Sequence, residues 1–363
     1  MITVLIGIVA LPWVFSLVHA MFILHPRADG DGKPSVDVYL AVRNEASNIL
    51  LCLESIRVQT SVARIIVIDD GSEDATQKRL EEIGSREPRL HRLLMRPGDR
   101  VGKSGALASA IAQCPPTSEW LLFTDADVAF DPGGIMALQR VAEKCNVGFV
   151  TAWLRCRDMS LWSLLFAPQV TLFLLRFLPM FALDAADPRI AAANGQCLLV
   201  RADLYRRCGG HAEITDLVED VALARLIKRV GGRIRLASGR RIGSYRAYGS
   251  FMENVRGYGR SLAFGLGPIG ALGFAVWQLC SVALFVALTF AAILPFPLAL
   301  VLLVFLSRGG NSIAFSENPI SLLLTPVADA VFAVAAVVGA YERRTGRITW
   351  RGRVVSDAKP PLS

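Results

Sequence analysis

The sequence predicts an α/β domain attached to membrane-spanning segments. Three observations support this: apolar runs of helix length lie near both ends of the 363 residues, strand and helix patterns alternate between them, and hydrophobic residues reach 53% against 19% charged. The mean hydropathy of +0.44 is high for a soluble protein, so part of the chain is expected to lie in a membrane.

The N-terminal segment, residues 1–25, is expected to be a transmembrane anchor, because Met1 to Leu24 contain no charged side chain and are long enough to cross a bilayer. A cleaved signal peptide is less favoured, since a basic n-region is missing. Residues 26–35 form a linker by composition. Arg27 and Lys33 follow the apolar run, which predicts that the next domain lies in the cytoplasm.

Residues 36–245 are expected to form the catalytic domain. Strand patterns cover residues 36–42, 64–68 and 120–124, a helix pattern covers 48–58, and a less regular unit covers 89–95. Three of the strands are followed by acidic residues, and ligands of open α/β sheets bind at the carboxyl ends of strands. The expected ligand-binding edge therefore carries Glu45, Asp69, Asp70, Asp125 and Asp127.

Asp125 and Asp127 are the candidate metal ligands. Residues at i and i+2 point the same way if strand geometry continues past Thr124, so both carboxylates could meet one Mg²⁺ or Mn²⁺ whose remaining ligands are substrate phosphates. The alternative is an Asp-rich turn without a ligand.

Two further features add charged groups to this site. Residues 98–104 resemble a P-loop but have one residue too few between the glycines, which leaves Lys103 as a single phosphate-seeking ammonium. Glu219 and Asp220 fall in the first turn of a predicted helix, where carboxylates also favour the helix dipole without any catalytic role.

The charge of +8 is concentrated between Arg225 and Arg260, where ten basic residues face one acid, Glu253. Such a stretch beside apolar sequence is typical of a surface on anionic lipid headgroups, and we expect no nucleic-acid partner because aromatic residues are not interleaved. An ordinary solvated face is the alternative. Seven cysteines stand singly, without a Cys-x-x-Cys pair, which favours a reducing compartment.

Four apolar or basic segments complete the organisation. Residues 159–183 are read as an interfacial part of the catalytic domain, because two prolines and an arginine disfavour a straight membrane helix. Residues 246–266 form a basic interfacial segment, 267–342 the C-terminal membrane segments, and 343–363 a basic tail. Residues 267–306 are long enough for two crossings and Ile320 to Tyr341 is a third candidate, in which Pro326 and Asp329 predict an irregular segment. Three crossings would put the basic tail outside, against the positive-inside rule, so either one segment is re-entrant or the tail is an exception.

Taken together, the acidic and glycine motifs resemble family 2 glycosyltransferases of the GT-A fold over residues 36–245. The resemblance is carried by Val42-Arg43-Asn44-Glu45, Ile68-Asp69-Asp70-Gly71-Ser72-Glu73-Asp74, Gly102-Lys103, Asp125-Ala126-Asp127 and Glu219-Asp220. The Asn194-Gly195-Gln196, Gly209-Gly210-His211 and 349–353 segments are similar to the hopanoid-associated and carotenoid subgroup and, more distantly, to ceramide glucosyltransferases.

This resemblance implies a nucleotide-sugar-binding GT-A domain, mostly parallel in its sheet, with N-terminal and C-terminal transmembrane helices. It implies an inverting transfer of a sugar from a nucleotide donor, expected to be a UDP-sugar, to a lipid acceptor, with Mg²⁺ or Mn²⁺. The implied nucleotide-sugar-binding residues are Arg43, Glu45, Asp69, Asp70, Lys103 and Asp125, the metal ligands are Asp125 and Asp127, and the catalytic residues are Asp220, as general base, and Glu219.

Two departures from the family pattern bear on the activity. The Gln-x-x-Arg-Trp motif of processive synthases is missing, which favours transfer of one sugar, and the tryptophans of the hopanoid-associated subgroup beside Gly102-Lys103 are missing too. Two alternatives stay open: a polyprenyl-phosphate sugar synthase and a catalytically inactive membrane scaffold. The expected location is the inner cell membrane, with several crossings and a cytoplasmic catalytic domain.

Overall fold

A computed structural model describes residues 2–26, 35–96, 98–100, 102–215, 218–290, 295–347, 349–350 and 353–354. The chain divides into two compact units. An α/β unit comprises Leu24–Arg155 and Ala182–Arg246, and a helical unit comprises Met1–Ile23, Cys156–Phe181 and Ala247–Ser363.

Strands and helices alternate through the α/β unit as the sequence predicts, and the elements of both units are numbered together along the chain. The strands are β1 Val36–Val42, β2 Val62–Asp69, β3 Leu90–Leu94, β4 Trp120–Thr124, β5 Val128–Phe130, β6 Phe149–Cys156, β7 Cys197–Arg201, β8 Ile234–Tyr245, and the short β9 Thr349–Trp350 and β10 Arg353–Val354. The helices are α1 Ile2–Ala20, α2 Ile49–Arg57, α3 Thr76–Gly84, α4 Lys103–Gln113, α5 Gly134–Cys145, α6 Leu161–Phe177, α7 Ala202–Arg207, α8 Glu219–Arg229, α9 Phe251–Phe290, α10 Pro295–Phe315 and α11 Thr325–Arg344.

Eight strands form one sheet in the order β3-β2-β1-β4-β7-β6-β8-β5. The first four strands are parallel, whereas β7 pairs antiparallel with β4 and β6, and β5 pairs antiparallel with β8. Val42 lies opposite Asp69, and Leu40 lies opposite Thr124, so the carboxyl ends of β1, β2 and β4 meet at one edge. The predicted α/β sheet is therefore present, and the acidic residues that follow these strands share one edge of it.

The core explains why these segments form strands. β4 is buried at every position and β1 at all but one, as expected for central parallel strands covered on both faces. Strand β1 carries a fully buried charged residue, Asp37, which accepts hydrogen bonds from Arg64 and from the backbone N–H groups of Thr117 and Ser118. A buried carboxylate needs this full set of donors.

The helical unit contains three helical stretches long and apolar enough to cross a membrane. They are Phe251–Ala287, Leu298–Phe315 and Thr325–Arg344, and Gly7–Ala20 and Leu161–Phe177 form shorter apolar helices. Helix α9 starts within the predicted basic interfacial segment and bends at Gly267, where φ is 75° and Pro268 follows. Helix α1, Ile2–Ala20, lies within the predicted N-terminal anchor.

Two expectations for the apolar segments differ from the structure. The last one, predicted to be irregular, is the continuous helix α11, because Pro326 lies in its first turn, where no intrahelical N–H partner is needed. Residues 161–177 form one helix despite Pro168, and 156–181 group with the helical unit. Leu165 and Phe166 explain this grouping, since they pack in one cluster with residues of α9 and α11.

Helices α9 and α11 cross with their backbones in close contact. A Cβ added to Gly259 would lie 2.3 Å from the carbonyl oxygen of Ala335, and one added to Gly339 would lie 2.0 Å from the carbonyl oxygen of Gly259. Only glycine fits at this crossing, which is the usual way for apolar helices to approach closely.

Candidate active site

The structure places the predicted site residues in loops at the carboxyl edge of the sheet and at two helix starts. Arg43 and Glu45 follow β1, Asp69 ends β2 with Asp70 next, and Asp125 and Asp127 follow β4. Lys103 is the first residue of α4, and Glu219 and Asp220 form the first turn of α8, as predicted.

The loops after β1 and β2 are tied together by their own polar groups. Arg43 is buried and donates from Nη1 to the carbonyl oxygen of Asp70 at 2.7 Å and from Nη2 to Glu73 at 3.1 Å. Asn44, at φ 54°, accepts the N–H of Glu73 at 2.8 Å. Asn tolerates this left-handed conformation better than most residues. The Arg43 guanidinium thus holds the two loops in register.

The acids of these loops have distinct environments. Asp69 Oδ1 accepts the N–H and the hydroxyl of Ser72, at 2.8 and 2.7 Å, while its buried Oδ2 has no hydrogen-bond partner among the described residues. Asp70 accepts the N–H of Gly102 at 3.3 Å. Glu45 is buried and accepts from Asn48 at 2.9 Å. Asp69 Oδ2 is therefore an acceptor left for a ligand.

Lys103 is the central cation of the site. Its Nζ lies 2.6 Å from Asp125 Oδ1 and 2.7 Å from Glu219 Oε1, and it donates to the carbonyl oxygen of Gly195 at 3.1 Å. Burial alone lowers the pKa of Lys103, but the charges of the two carboxylates outweigh burial and raise it. Lys103 therefore stays charged and links the β4 edge to the start of α8.

The backbone of Gly195 contacts both Asp220 of α8 and Lys103 of α4, and Gly195 was not among the predicted site residues. Its N–H donates to Asp220 Oδ2 at 2.7 Å, while its carbonyl oxygen accepts from Lys103. A Cβ at this position would stand 2.8 Å from Lys103 Nζ and 3.0 Å from Glu219 Oε1, so any side chain would displace them. The glycine of the Asn194-Gly195-Gln196 segment was the available sequence signal.

The two neighbouring acids of α8 differ in protonation. Burial disfavours the ionised form of Glu219, but the charge and hydrogen bond of Lys103 outweigh it and lower the pKa. Burial, followed by the charge of Glu219, raises the pKa of Asp220 to about 7, against the opposing effects of Lys103 and the N–H groups of Val221 and Gly195. A helix N-terminus on its own would lower the pKa of Asp220, but burial and the charge of Glu219 outweigh it.

His211 is a second residue that the sequence reasoning did not assign to the site. It is fully buried against Phe123, with ring centroids 4.6 Å apart, and burial lowers its pKa to about 3. The Tyr205 oxygen accepts the His211 backbone N–H at 3.0 Å and lies 2.9 Å from His211 Nδ1. When the Tyr205 hydroxyl donates its hydrogen bond to Nδ1, the neutral His211 ring carries its proton on the buried Nε2. This Nε2 lacks a partner among the described residues.

Asp125 and Asp127 could supply only part of the oxygen ligands that a divalent cation needs, and a substrate would have to supply the rest. No cluster of three or more His, Cys, Asp or Glu side chains suited to a metal occurs in the described ranges. Two carboxylates completed by phosphate oxygens are nevertheless the usual site for Mg²⁺. Asp125 already attracts the ammonium of Lys103, so its surroundings favour a cation.

The strand geometry expected past Thr124 is absent. β4 ends at Thr124, Ala126 and Asp127 form a turn, and the N–H of Val128 donates to the carbonyl oxygen of Asp125 at 3.3 Å. The period-two argument for two converging carboxylates therefore does not apply, and the pair rests on its donor chemistry and position.

Comparison with known proteins agrees with this arrangement. Residues 37–207 match the family model described as Glycosyl transferase family 2. The structure is similar to the mannosyltransferase PcManGT from Pyrobaculum calidifontis in complex with GDP-Man and Mn²⁺, at 19% identity and a TM-score of 0.59, over 94% of this chain and 98% of that one. None of the curated proteins matches this chain significantly.

Two further solved structures match more weakly. Glucosyl-3-phosphoglycerate synthase from Mycobacterium tuberculosis, in complex with Mn²⁺, UDP-Glc and phosphoglyceric acid, shares 18% identity over 64% of this chain and 79% of that one, with a TM-score of 0.41. S. aureus TarS 1-349 in complex with UDP-GlcNAc shares 14% identity over 86% and 92%, with a TM-score of 0.43. Across residues 37–207 this chain is similar in sequence to family 2 glycosyltransferases, and its α/β unit has a GT-A-like fold.

Proposed function

We propose that this protein is a membrane-bound, metal-dependent, inverting glycosyltransferase that moves one sugar from a nucleotide-sugar donor to a lipid-soluble acceptor. The family match over residues 37–207 and the fold shared with the mannosyltransferase support the transferase class. The observation that carries most weight is Asp220, a buried carboxyl group with a pKa of about 7 beside carboxylates bridged by Lys103. A general base works best when its pKa is near the working pH.

The donor would lie along the carboxyl edge of β1, β2 and β4. Asp69, whose Oδ2 lacks a partner among the described residues, would accept from the nucleobase together with Asp70 and Glu45. Arg43 holds this surface in shape through Asp70 and Glu73. Lys103 would move from Asp125 and Glu219 towards the diphosphate, whose negative charge attracts its ammonium group.

Asp220 would act as the general base. Its carboxylate takes the proton of the acceptor hydroxyl while that oxygen forms a bond to the anomeric carbon, and the bond from that carbon to the diphosphate breaks, its electron pair leaving with the nucleotide. A single displacement of this kind inverts the anomeric configuration. Asp125 and Asp127 would hold Mg²⁺ or Mn²⁺, which when bound offsets negative charge on the departing diphosphate.

The acceptor class and location follow from the helical unit. Three helices long and apolar enough to cross a membrane favour an acceptor that is itself a lipid, such as a hopanoid, a carotenoid or another lipid alcohol. With the catalytic domain on the cytoplasmic side, a soluble donor such as a UDP-sugar would reach the site from the cytoplasm. The segments around Gly195 and Gly209, which resemble the hopanoid-associated and carotenoid subgroup, support such an acceptor.

The test is transfer of label from radiolabelled nucleotide sugars into the lipid phase by detergent-solubilised protein, with Mn²⁺ or Mg²⁺ and total membrane lipid. Asp220→Asn should abolish transfer, and Asp203→Asn, an exposed acid of α7 outside the site, should not. Chelation of the metal should stop the reaction. Transfer that survives in Asp220→Asn would refute the assigned base.

The same assay separates the two alternatives. A polyprenyl-phosphate sugar synthase would give a product that releases its sugar in mild acid, whereas a glycoside of a lipid alcohol is stable. A scaffold would transfer no label from any donor, and Asp220→Asn would leave its cellular role intact. The joint presence of Lys103, Glu219 and Asp220 in one contact network favours the enzyme.

A further inference from the structure

A small pocket in the α/β unit is lined by positively charged groups and has no assigned role. It has a volume of about 130 Å³ and is formed by His25, Pro26, Arg240 and Arg241. None of these residues belongs to the candidate active site, so an explanation for the pocket must come from its own construction and charge.

The pocket walls are held in place by the sheet. Leu24 forms a β-bridge with Ala237, and the N–H of Ser238 donates to the carbonyl oxygen of Leu24 at 2.8 Å, which fixes the chain leading to His25. On the opposite wall, a Cβ on Gly239 would lie 2.2 Å from the carbonyl oxygen of Trp153, so β8 packs closely on β6 at this point.

A third arginine also anchors β8 at Arg240. Arg155 donates to the carbonyl oxygen of Arg240 at 3.0 Å and pairs with both oxygens of Asp131, at 2.5 and 2.7 Å. Arg155 therefore has its own carboxylate. Arg240 and Arg241 are exposed, and neither forms an ion pair within the part of the chain that the structure describes.

The electrostatic effect of the two arginines is visible at His25. Burial, then the charges of Arg240 and Arg241, lower the pKa of His25. The imidazole is thus neutral at pH 7 and offers one N–H donor beside two guanidinium groups whose charge is not offset. The pocket combines two positive charges and planar hydrogen-bond donors in a concave surface that is open to solvent.

We propose that this pocket binds a phosphate group, and that the group belongs to the headgroup of an anionic lipid. Guanidinium groups form paired hydrogen bonds with phosphate oxygens, and two of them suit a phosphate mono- or diester. The lipid source follows from the sequence: His25 is five residues beyond Ala20, the last residue of the apolar helix α1. Residues that directly follow a segment entering a bilayer are expected to meet lipid headgroups.

This inference does not depend on the proposed transferase activity. It concerns a surface outside the acidic site, and its test measures binding alone. The full-length protein in a neutral detergent is titrated with short-chain phosphatidylglycerol, with short-chain phosphatidylcholine, and with inorganic phosphate. The variant is Arg240→Gln with Arg241→Gln, and the control is Arg206→Gln with Arg207→Gln, an exposed pair on α7 that removes the same charge.

We expect wild type and control to bind phosphatidylglycerol more tightly than phosphatidylcholine, and the pocket variant to lose about tenfold or more in affinity for the anionic lipid. Inorganic phosphate that binds as tightly as phosphatidylglycerol would identify a free-phosphate site and overturn the lipid assignment. Unchanged affinity of the pocket variant for phosphatidylglycerol would overturn the proposal. The proposal would also be overturned if a short single-stranded oligonucleotide displaced bound phosphatidylglycerol more strongly than inorganic phosphate does.

Discussion

Replacement of Glu219 by glutamine removes the second-largest cause of the raised pKa of Asp220 while keeping the side-chain shape. Burial and the Glu219 charge together raise that pKa from the model-compound value of 3.8 to about 7. A like charge a few ångströms away shifts a carboxyl pKa by roughly 1–3 units. Lys103 stays in place in the variant and continues to favour the ionised form of Asp220.

The expected result is a shift of the acid limb of the pH profile to lower pH. In wild type, the rate of sugar transfer should fall below about pH 7 as Asp220 takes up a proton. In Glu219→Gln the midpoint should lie about one to two units lower, equivalent to about 1.4–2.7 kcal/mol. The maximal rate should also fall, because a base with a lower pKa is weaker.

The assay is kcat/KM for label transfer between pH 5 and 9, with each profile scaled to its own maximum. Glu143→Gln, an exposed position on α5, is the matched control and should reproduce the wild-type midpoint. An acid limb in Glu219→Gln that stays in place or moves to higher pH would show that Glu219 does not raise the pKa of Asp220.

Three more changes test the same network and the core. Lys103→Met should move the acid limb to higher pH, because Lys103 opposes protonation of both Glu219 and Asp220; an unmoved limb would contradict this. Asp220→Asn should stabilise the fold above pH 7, where the buried carboxylate is ionised, and not at pH 4. The free-energy cost of ionising the buried Asp220, which the variant removes, is on the order of 4 kcal/mol, and about 1–2 kcal/mol of this gain is offset by a lost hydrogen bond. Denaturant unfolding at both pH values measures the difference. Asp37→Asn should lower the free energy of unfolding by about 3 kcal/mol, because it leaves Arg64 unpaired. In wild type, the hydrogen bonds to Asp37 outweigh its burial and lower its pKa, so its contribution to stability should be lost as the pH drops through that lowered pKa. A denaturation midpoint unchanged from wild type would contradict both expectations.

The sequence was most informative where local patterns decide the structure. The strand before Asp125 and the helix start at Glu219 follow from a buried apolar run and from helical spacing, and both were found where predicted. Pro326 shows the limit of composition, because a proline inside an apolar run breaks a helix only if it falls beyond the first turn.

The electrostatics could not be read from the sequence in the same way. A helix start alone predicts a lowered pKa for Asp220, and only the three-dimensional burial beside Glu219 reverses the sign. Gly195 is 25 residues from Asp220 and 92 from Lys103, so nothing in the local pattern indicated that its backbone contacts both.

That double contact couples the two halves of the reaction. One glycine gives its N–H to the base and its carbonyl oxygen to the ammonium that would receive the donor. A diphosphate that draws Lys103 away from Glu219 leaves that carboxylate uncompensated, and Asp220 then holds a proton more tightly. Donor binding would therefore be accompanied by proton uptake. Binding of the nucleotide sugar would raise the basicity of Asp220, the group that accepts the proton of the second substrate.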